Sequence, residues 1–235
     1  VWAHDSSNEQ FTYLTVHQKR GTEGIEDNGV LTDFKGVAVH DCWGPYWKFE
    51  QVVHAICCVH LLRELIGVME NEPNHKWAER FKQLLLHMHK AKAEEIERGK
   101  TEASTEQIER FEKEYDDIMK LAEEECPLPP KPKEKRRGKI KKGKERALIE
   151  RLIKLKDSVC LFIKDFTVPF NNNQAERDIR NVKTKIKVSG CFRTEDGARD
   201  YLTITSFLGT AKKHGINAFD ALTKAFNGTA EVILG

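Results

Sequence analysis

No stretch of this sequence approaches the roughly 20 consecutive apolar residues that a membrane-spanning helix requires, and no apolar signal segment opens it. The chain therefore reads as a soluble protein with no membrane partner. Cysteine is sparse too. Cys42, Cys57, Cys58, Cys126, Cys160 and Cys191 are too few and too scattered across 235 residues for a disulfide-held scaffold. They are expected to be reduced thiols in a cytoplasmic protein. Net charge is nearly absent, at +2, but this balance hides segregation. Residues 131–146, KPKEKRRGKIKKGKER, hold ten Lys and Arg against Glu134 and Glu145. Such a block repels itself and is expected to be solvated and disordered. It is either a flexible solubilising loop or a phosphate-binding loop, since clustered cations release counterions from DNA without reading its sequence. Composition leaves both open.

What is present is a chain of 32% charged and 39% hydrophobic residues, enough for a sizeable core under a heavily charged surface. The length favours one domain, or one domain with a large insertion. The first part carries strand patterns. FTYLTVH (11–17) alternates and is rich in β-branched and aromatic residues, and GVAVH (36–40) and QVVHAIC (51–57) are short apolar runs bounded by turn signals. VWAH at the start reads as part of another strand, turned by Ser6, Ser7 and Asn8, and a short helix fits near 21–29.

From Val59 to about Glu125 the spacing is helical. Leu62, Leu65, Ile66 and Met69 form one stripe, Trp77, Phe81, Leu84, Leu85 and Met88 a second, and Ile108, Phe111, Tyr115, Ile118 and Leu121 a third. CPLPPKP then stops helix formation. Helices are expected again over 147–165, 172–188, 196–214 and 217–226. Asn171 is placed to cap the second of these, Gln174 to complete a capping box, and Gly215 to end the third. The implied organisation is 1–70 as a first core part, 71–165 as a helical insertion with a basic loop at 127–146, and 166–235 as a second core part.

Two acidic residues stand where chemistry is possible. Asp41 directly follows the strand GVAVH; it is either a turn residue or a carboxylate at a strand's C-terminal end, where α/β sheets place ligands. Glu176 lies in the first turn of the helix in VPFNNNQAERDIR, where it either complements the helix dipole or holds a metal ion while Arg180 and Lys183, four and seven residues on, hold phosphates. His40 and His54 read as strand-packing residues. Trp43, Tyr46 and Trp47 read as core, with stacking on a flipped base as the alternative. Arg193 and Arg199 suit backbone phosphates or solvated ion pairs equally.

The segments HQKRG, FKGVAVHDCWGPY, HAICCVHLLREL, VPFNNNQAERDIR and KVSGCFRTEDGARDYLTI, in that order, resemble the bacterial insertion-sequence transposases of the family numbered sixty-six, over essentially Val1 to Gly228. The resemblance implies an α/β fold of the ribonuclease-H type, a mixed sheet with a large all-helical insertion and a helical C-terminal part. It implies that Asp41 and Glu176 are the second and third catalytic carboxylates. These would bind Mg²⁺ or Mn²⁺ for phosphodiester cleavage and strand transfer, chemistry that uses two ions about 4 Å apart. It further implies DNA as partner, contacted by Arg180, Lys183, Arg193, Lys135, Arg136 and Arg137, a homo-oligomer in the active complex, and a bacterial, nucleoid-associated location. Cys57 and His60, spaced Cys-x₂-His, match a signature of related groups and read as residues that pack and hydrogen-bond near the active centre, with positioning of DNA or the carboxylates as the alternative; two ligands fall short of a zinc site.

In that family the first aspartate lies on a strand before the one matching VWAH. Asp5 is the only early candidate here and follows that strand, so the residue, the sheet's first strand and the N-terminal regions are expected upstream of Val1. Two competing readings follow: a catalytically inactive DNA-binding remnant, and a helical interaction protein whose charge runs serve only solvation.

Overall fold

The computed structural model describes residues 1–129 and 143–230. In chain order these form β1 (Trp2–Asp5), β2 (Leu14–His17), α1 (Thr22–Asn28), α2 (Val30–Asp33), β3 (Val37–His40), a 3-10 turn (Gly44–Lys48) and β4 (Val53–Ile56). Helices follow: α3 (Cys58–Asn71), α4 (Trp77–Glu97), α5 (Thr105–Glu125), α6 (Lys144–Lys154), α7 (Lys156–Lys164), α8 (Asn173–Asp178), α9 (Arg180–Ser189), α10 (Glu195–Lys213) and α11 (Ala218–Phe226). The chain is mixed α/β and mostly helical. Its contacts divide it into two compact units: Val1–Gly36 with Trp43–Val53 and Asn172–Gly235, and Val37–Cys42 with His54–Asn171.

The first unit is built on the antiparallel pair β1–β2, in which Trp2 faces His17 and Asp5 faces Leu14. Alternation gives the pair two faces. Ala3, Leu14 and Val16 join Val182, Leu202, Ile179, Phe192 and Tyr201 in one apolar cluster. On the opposite face Asn28 of α1 reaches Thr15. The expected strand over 11–17 begins only at Leu14, because the preceding residues close a loop: Ser6 N–H donates to Tyr13 O, and Asn8 N–H to Phe11 O. Beyond it the backbone N–H groups of Thr12 and Leu14 donate to the hydroxyls of Thr210 and Ser206 on α10. A strand edge is thereby covered by a helix rather than left open to pairing. Such close approach requires Gly209, where a Cβ would lie 2.8 Å from Thr12 Cβ and Oγ1. Gly215, at φ +74°, ends the last turn of this region as the sequence suggested.

β3 and β4 pair through Val53 N–H to Gly36 O and Cys57 N–H to His40 O. Both strands advance together from one bond to the next, so the pair is parallel. In the second unit the long helices pack α3 on α4, α4 on α5 and α5 on α6. Trp77, Phe81, Leu84, Leu85 and Met88 of α4 are all buried, and Phe81 meets Tyr115 of α5 edge to face at 4.8 Å. Tyr115 satisfies its hydroxyl on Leu152 O of α6. Ser104 and Gln107 form a full capping box at the start of α5.

Some expected stripes are rotated. In α3 the core side chains are Cys58, Leu61, Leu65 and Val68, whereas Leu62 and Met69 are half-buried and Ile66 is exposed. The aliphatic residues of α3 nearly encircle it, so spacing alone did not fix its inner face. In α5, Met119 and Ala122 are buried and Ile108 and Leu121 sit at the margin. The helix expected over 147–165 is two helices broken at Leu155, and the one over 172–188 is two broken at Ile179. That second helix starts after Asn172, not Asn171, and Gln174 reaches forward to Asp178 instead of back to the cap.

Gly209→Ala should lower the melting temperature of the first unit, by overpacking worth about 1–3 kcal/mol. Phe81→Ala should destabilise the second by about 3–5 kcal/mol. Calorimetry on the two variants distinguishes the units, and unaltered melting of Gly209→Ala would contradict the close approach.

Candidate functional site

Asp41 leaves the end of β3 as an exposed residue. The two histidines beside it determine its setting. His40 is buried, its Nδ1 accepts the Cys42 N–H at 3.1 Å, and its Nε2 lies 3.0 Å from His54 Nδ1. An Nδ1 that accepts a backbone proton is unprotonated, so Nε2 carries the hydrogen and donates it to His54. Burial and His54 push His40 down to about 4, against the opposing pull of Asp41. The carboxylate therefore stands next to a neutral imidazole. Cys42 takes a left-handed conformation (φ 66°), unusual for a residue with a side chain. The chain turns sharply where Asp41 is presented.

β4 runs into α3 with Cys57 at the N-cap and His60 in the first turn, so the two are one helical turn apart. Cys57 is fully buried and His60 half-buried. The adjacent Cys58 is also fully buried. Burial raises its thiol well above the usual range, and its N–H donates to Phe170 O. Among the described residues no three His, Cys, Asp or Glu side chains are gathered as a metal ion would need.

Glu176 lies half-buried in the first turn of α8, in the other compact unit from Asp41. Arg180 and Lys183 do not continue its helix without interruption. They belong to α9, which follows α8 after Ile179. Asp178 at the end of α8 is bound by Lys213 Nζ at 2.6 Å and by Gln174 Nε2 at 3.0 Å, while Ile179 and Val182 turn into the apolar cluster. Only Val182 of α9 is buried, leaving Arg180, Lys183, Lys185 and Lys187 exposed on a helix without an acidic residue. Arg193 is exposed just beyond it. Arg199 instead pairs with Glu195 and Asp196, as a solvated surface cation does. Lys135, Arg136 and Arg137 lie outside the described residues.

The sequence did not reveal one cluster. Asp5, at the end of β1, is pushed up to about 7, first by burial, with Ser7 lowering and Asp178 raising it. Lys183 and Lys213 are the cations that oppose the shift. Half of its carboxyls are thus protonated near neutral pH, whereas metal ligation needs the charged form. No spacing could have shown this, because Asp5, Asp178 and Lys213 come from three distant segments.

A carboxyl held at a raised value binds its proton more tightly in the folded than in the unfolded chain. The contribution of Asp5 to stability should therefore be fully present below the usual carboxylate range and be lost as pH rises from about 4 through about 7. Asp5→Asn should flatten that fall and raise the melting temperature above pH 7. A pH–stability profile identical to wild type would refute the assignment.

Comparison with known proteins completes the description. A family model described as Transposase IS66 family matches residues 1–200, which include Asp41, Glu176 and all of α9. No curated protein and no solved structure matches the chain. With the match running over well more than half of its length, the chain belongs to the IS66 family of transposases.

Proposed function

We propose that this chain carries the catalytic core of a DNA transposase, with Asp41 and Glu176 as acidic residues of the centre that cleaves and joins strands at transposon ends. The observation that carries this reading is the family match over residues 1–200, which spans both carboxylates. Their local settings support it. Asp41 stands at the C-terminal end of a parallel strand, where α/β folds place ligands. Glu176 precedes a helix whose exposed surface is strongly basic.

The donor type at Asp41 and Glu176 is carboxylate oxygen, which Mg²⁺ and Mn²⁺ take. The type fits, and the two residues are the proposed ligands. Divalent ions held there would supply the charge that activates an attacking oxygen and stabilises a leaving one. The chain's own work is to present those carboxylates and to hold the sugar–phosphate backbone with Arg180, Lys183 and Arg193, and with Lys135, Arg136 and Arg137 of the basic block. Cys57, buried at the N-cap of α3, and His60, half-buried in its first turn, are proposed to position this region. Because a transposon has two ends, the active complex is proposed to contain more than one copy.

The test is nicking of duplex DNA with Mg²⁺ or Mn²⁺. Asp41→Asn and Glu176→Gln should each abolish it while leaving duplex affinity unchanged. Cleavage that survives both substitutions would end the catalytic assignment; duplex binding with no cleavage under either ion would select the binding-only reading.

Salt dependence tests the interface separately. Each cation that neutralises a phosphate steepens the dependence of log K on log salt by about 0.9. Replacing Arg180 and Lys183 together by Ala should therefore flatten the slope by roughly 2, and deleting 131–144 by several units. An unchanged slope in both would leave these residues with a solvation role.

A further inference from the structure

The face of β1–β2 opposite the apolar cluster carries an aromatic and cationic group that the reading above does not use. Trp2 sits there, across from His17, with half of its surface open to solvent. The Arg20 guanidinium lies over the Trp2 ring at 5.4 Å from its centroid and over the Trp43 ring at 4.7 Å. Trp43 in turn meets Tyr46 edge to face at 5.8 Å. All four residues belong to the same compact unit.

Core packing does not account for this arrangement. The apolar cluster of the unit lies on the other face, with Ala3, Leu14 and Val16, so Trp2 adds little to it. A cation over an exposed ring is a weak stabiliser by itself. What it does provide is orientation. The guanidinium spends its face on the two indoles and keeps its N–H edge for a ligand, and no acidic side chain among the described residues pairs with it. The neighbouring Lys19, by contrast, is already paired with Glu23. A flat apolar surface beside a directed set of N–H donors matches one chemistry: an unpaired nucleobase with its phosphate. Base–aromatic stacking tolerates any sequence, and arginine adds both cation–π attraction and phosphate contact.

We propose that Trp2, Arg20 and Trp43 form a binding platform for an unpaired nucleotide of single-stranded DNA, the base stacking on the open indole of Trp2 and the phosphate taken by Arg20. This deepens the transposase reading and rests on it. It adds a contact for strands that have been opened or frayed, distinct from the duplex contacts of α9.

The test compares a short oligothymidylate with a blunt duplex of equal length, by fluorescence anisotropy and by quenching of tryptophan emission. The single strand should quench wild-type emission. Trp2→Ala should weaken its binding about tenfold and leave duplex affinity unchanged. Trp2→Phe, which keeps a stacking ring and the strand's packing, should retain most of the affinity but lose the quench. Arg20→Lys should weaken single-strand binding, because an ammonium lacks the planar donor edge. Single-strand affinity equal to wild type in both Trp2→Ala and Arg20→Lys would overturn the platform. If duplex binding still depends on Arg180 and Lys183 in that case, only the platform falls; a wild-type chain that binds neither DNA defeats the platform and the transposase reading together.

Discussion

The ammonium of Lys213 holds three oxygens at once: Asp178 Oδ2 at 2.6 Å and the carbonyls of Asn8 and Phe11, each at 2.8 Å. A lysine leaves water only when its three N–H groups find acceptors, and here the three come from the hairpin loop and the end of α8. The first unit depends on that convergence. It fixes the last turn of α10 against residues 8–11, which sets Ser206 and Thr210 against the backbone of Leu14 and Thr12. It also holds Asp178, the last residue of α8, after which α9 runs with one buried apolar residue and a cationic surface. A basic helix with so little buried surface would be poorly held by packing alone. The ion pair lies just upstream of it, and Asp5 is left close to its titration point, first by burial.

The second unit uses a buried lysine in a similar way. Lys92 of α4 donates to Val168 O, and Phe170 stacks on His89 at 4.2 Å while its carbonyl accepts the Cys58 N–H. The segment Val168–Phe170 is thus tied to α4 and to the start of α3. The flanks of the basic block are tied as firmly. Glu125 accepts the backbone N–H groups of Lys76 and Trp77, and Glu145 accepts the Trp77 indole N–H and contacts His75. Both ends of that block are therefore bound to one turn at the start of α4, and the hydrogen bond to Glu145 raises the His75 value.

The single mixed sheet expected of the strands is two separate pairs among the described residues. Family membership, four strand segments and the positions of Asp41 and Glu176 on a strand end and a helix start, by contrast, could be read from residues in order. Each is a local property. Valine-rich alternation makes β3, the leucine and aromatic spacing makes α4, and Ser104 with Gln107 begins α5, whatever lies around them. The motifs around Asp41 and Glu176 are likewise contiguous strings. Where the reading went astray, the deciding contact was remote. Ile66 was placed inside and lies outside because α3 has apolar residues on most sides and only its partner helix chooses among them. The single helix expected over 172–188 is two that meet at Ile179, and Asp178 beside that junction is held by Lys213, 35 residues away.

By itself, then, the sequence determined the class of fold, the order of its elements and the identity of the acidic and basic candidates, since hydrophobic period, capping and contiguous motifs act within a few residues. Only the tertiary structure decided which face each amphipathic helix buries, that His40 is neutral beside Asp41, that Asp5 titrates near neutrality, and that Arg20 lies over two tryptophans 41 positions apart in the chain. Those properties arise from desolvation and from charges brought together by distant segments. They have no signature in residue spacing, because the energy that creates them exists only once the chain has closed on itself.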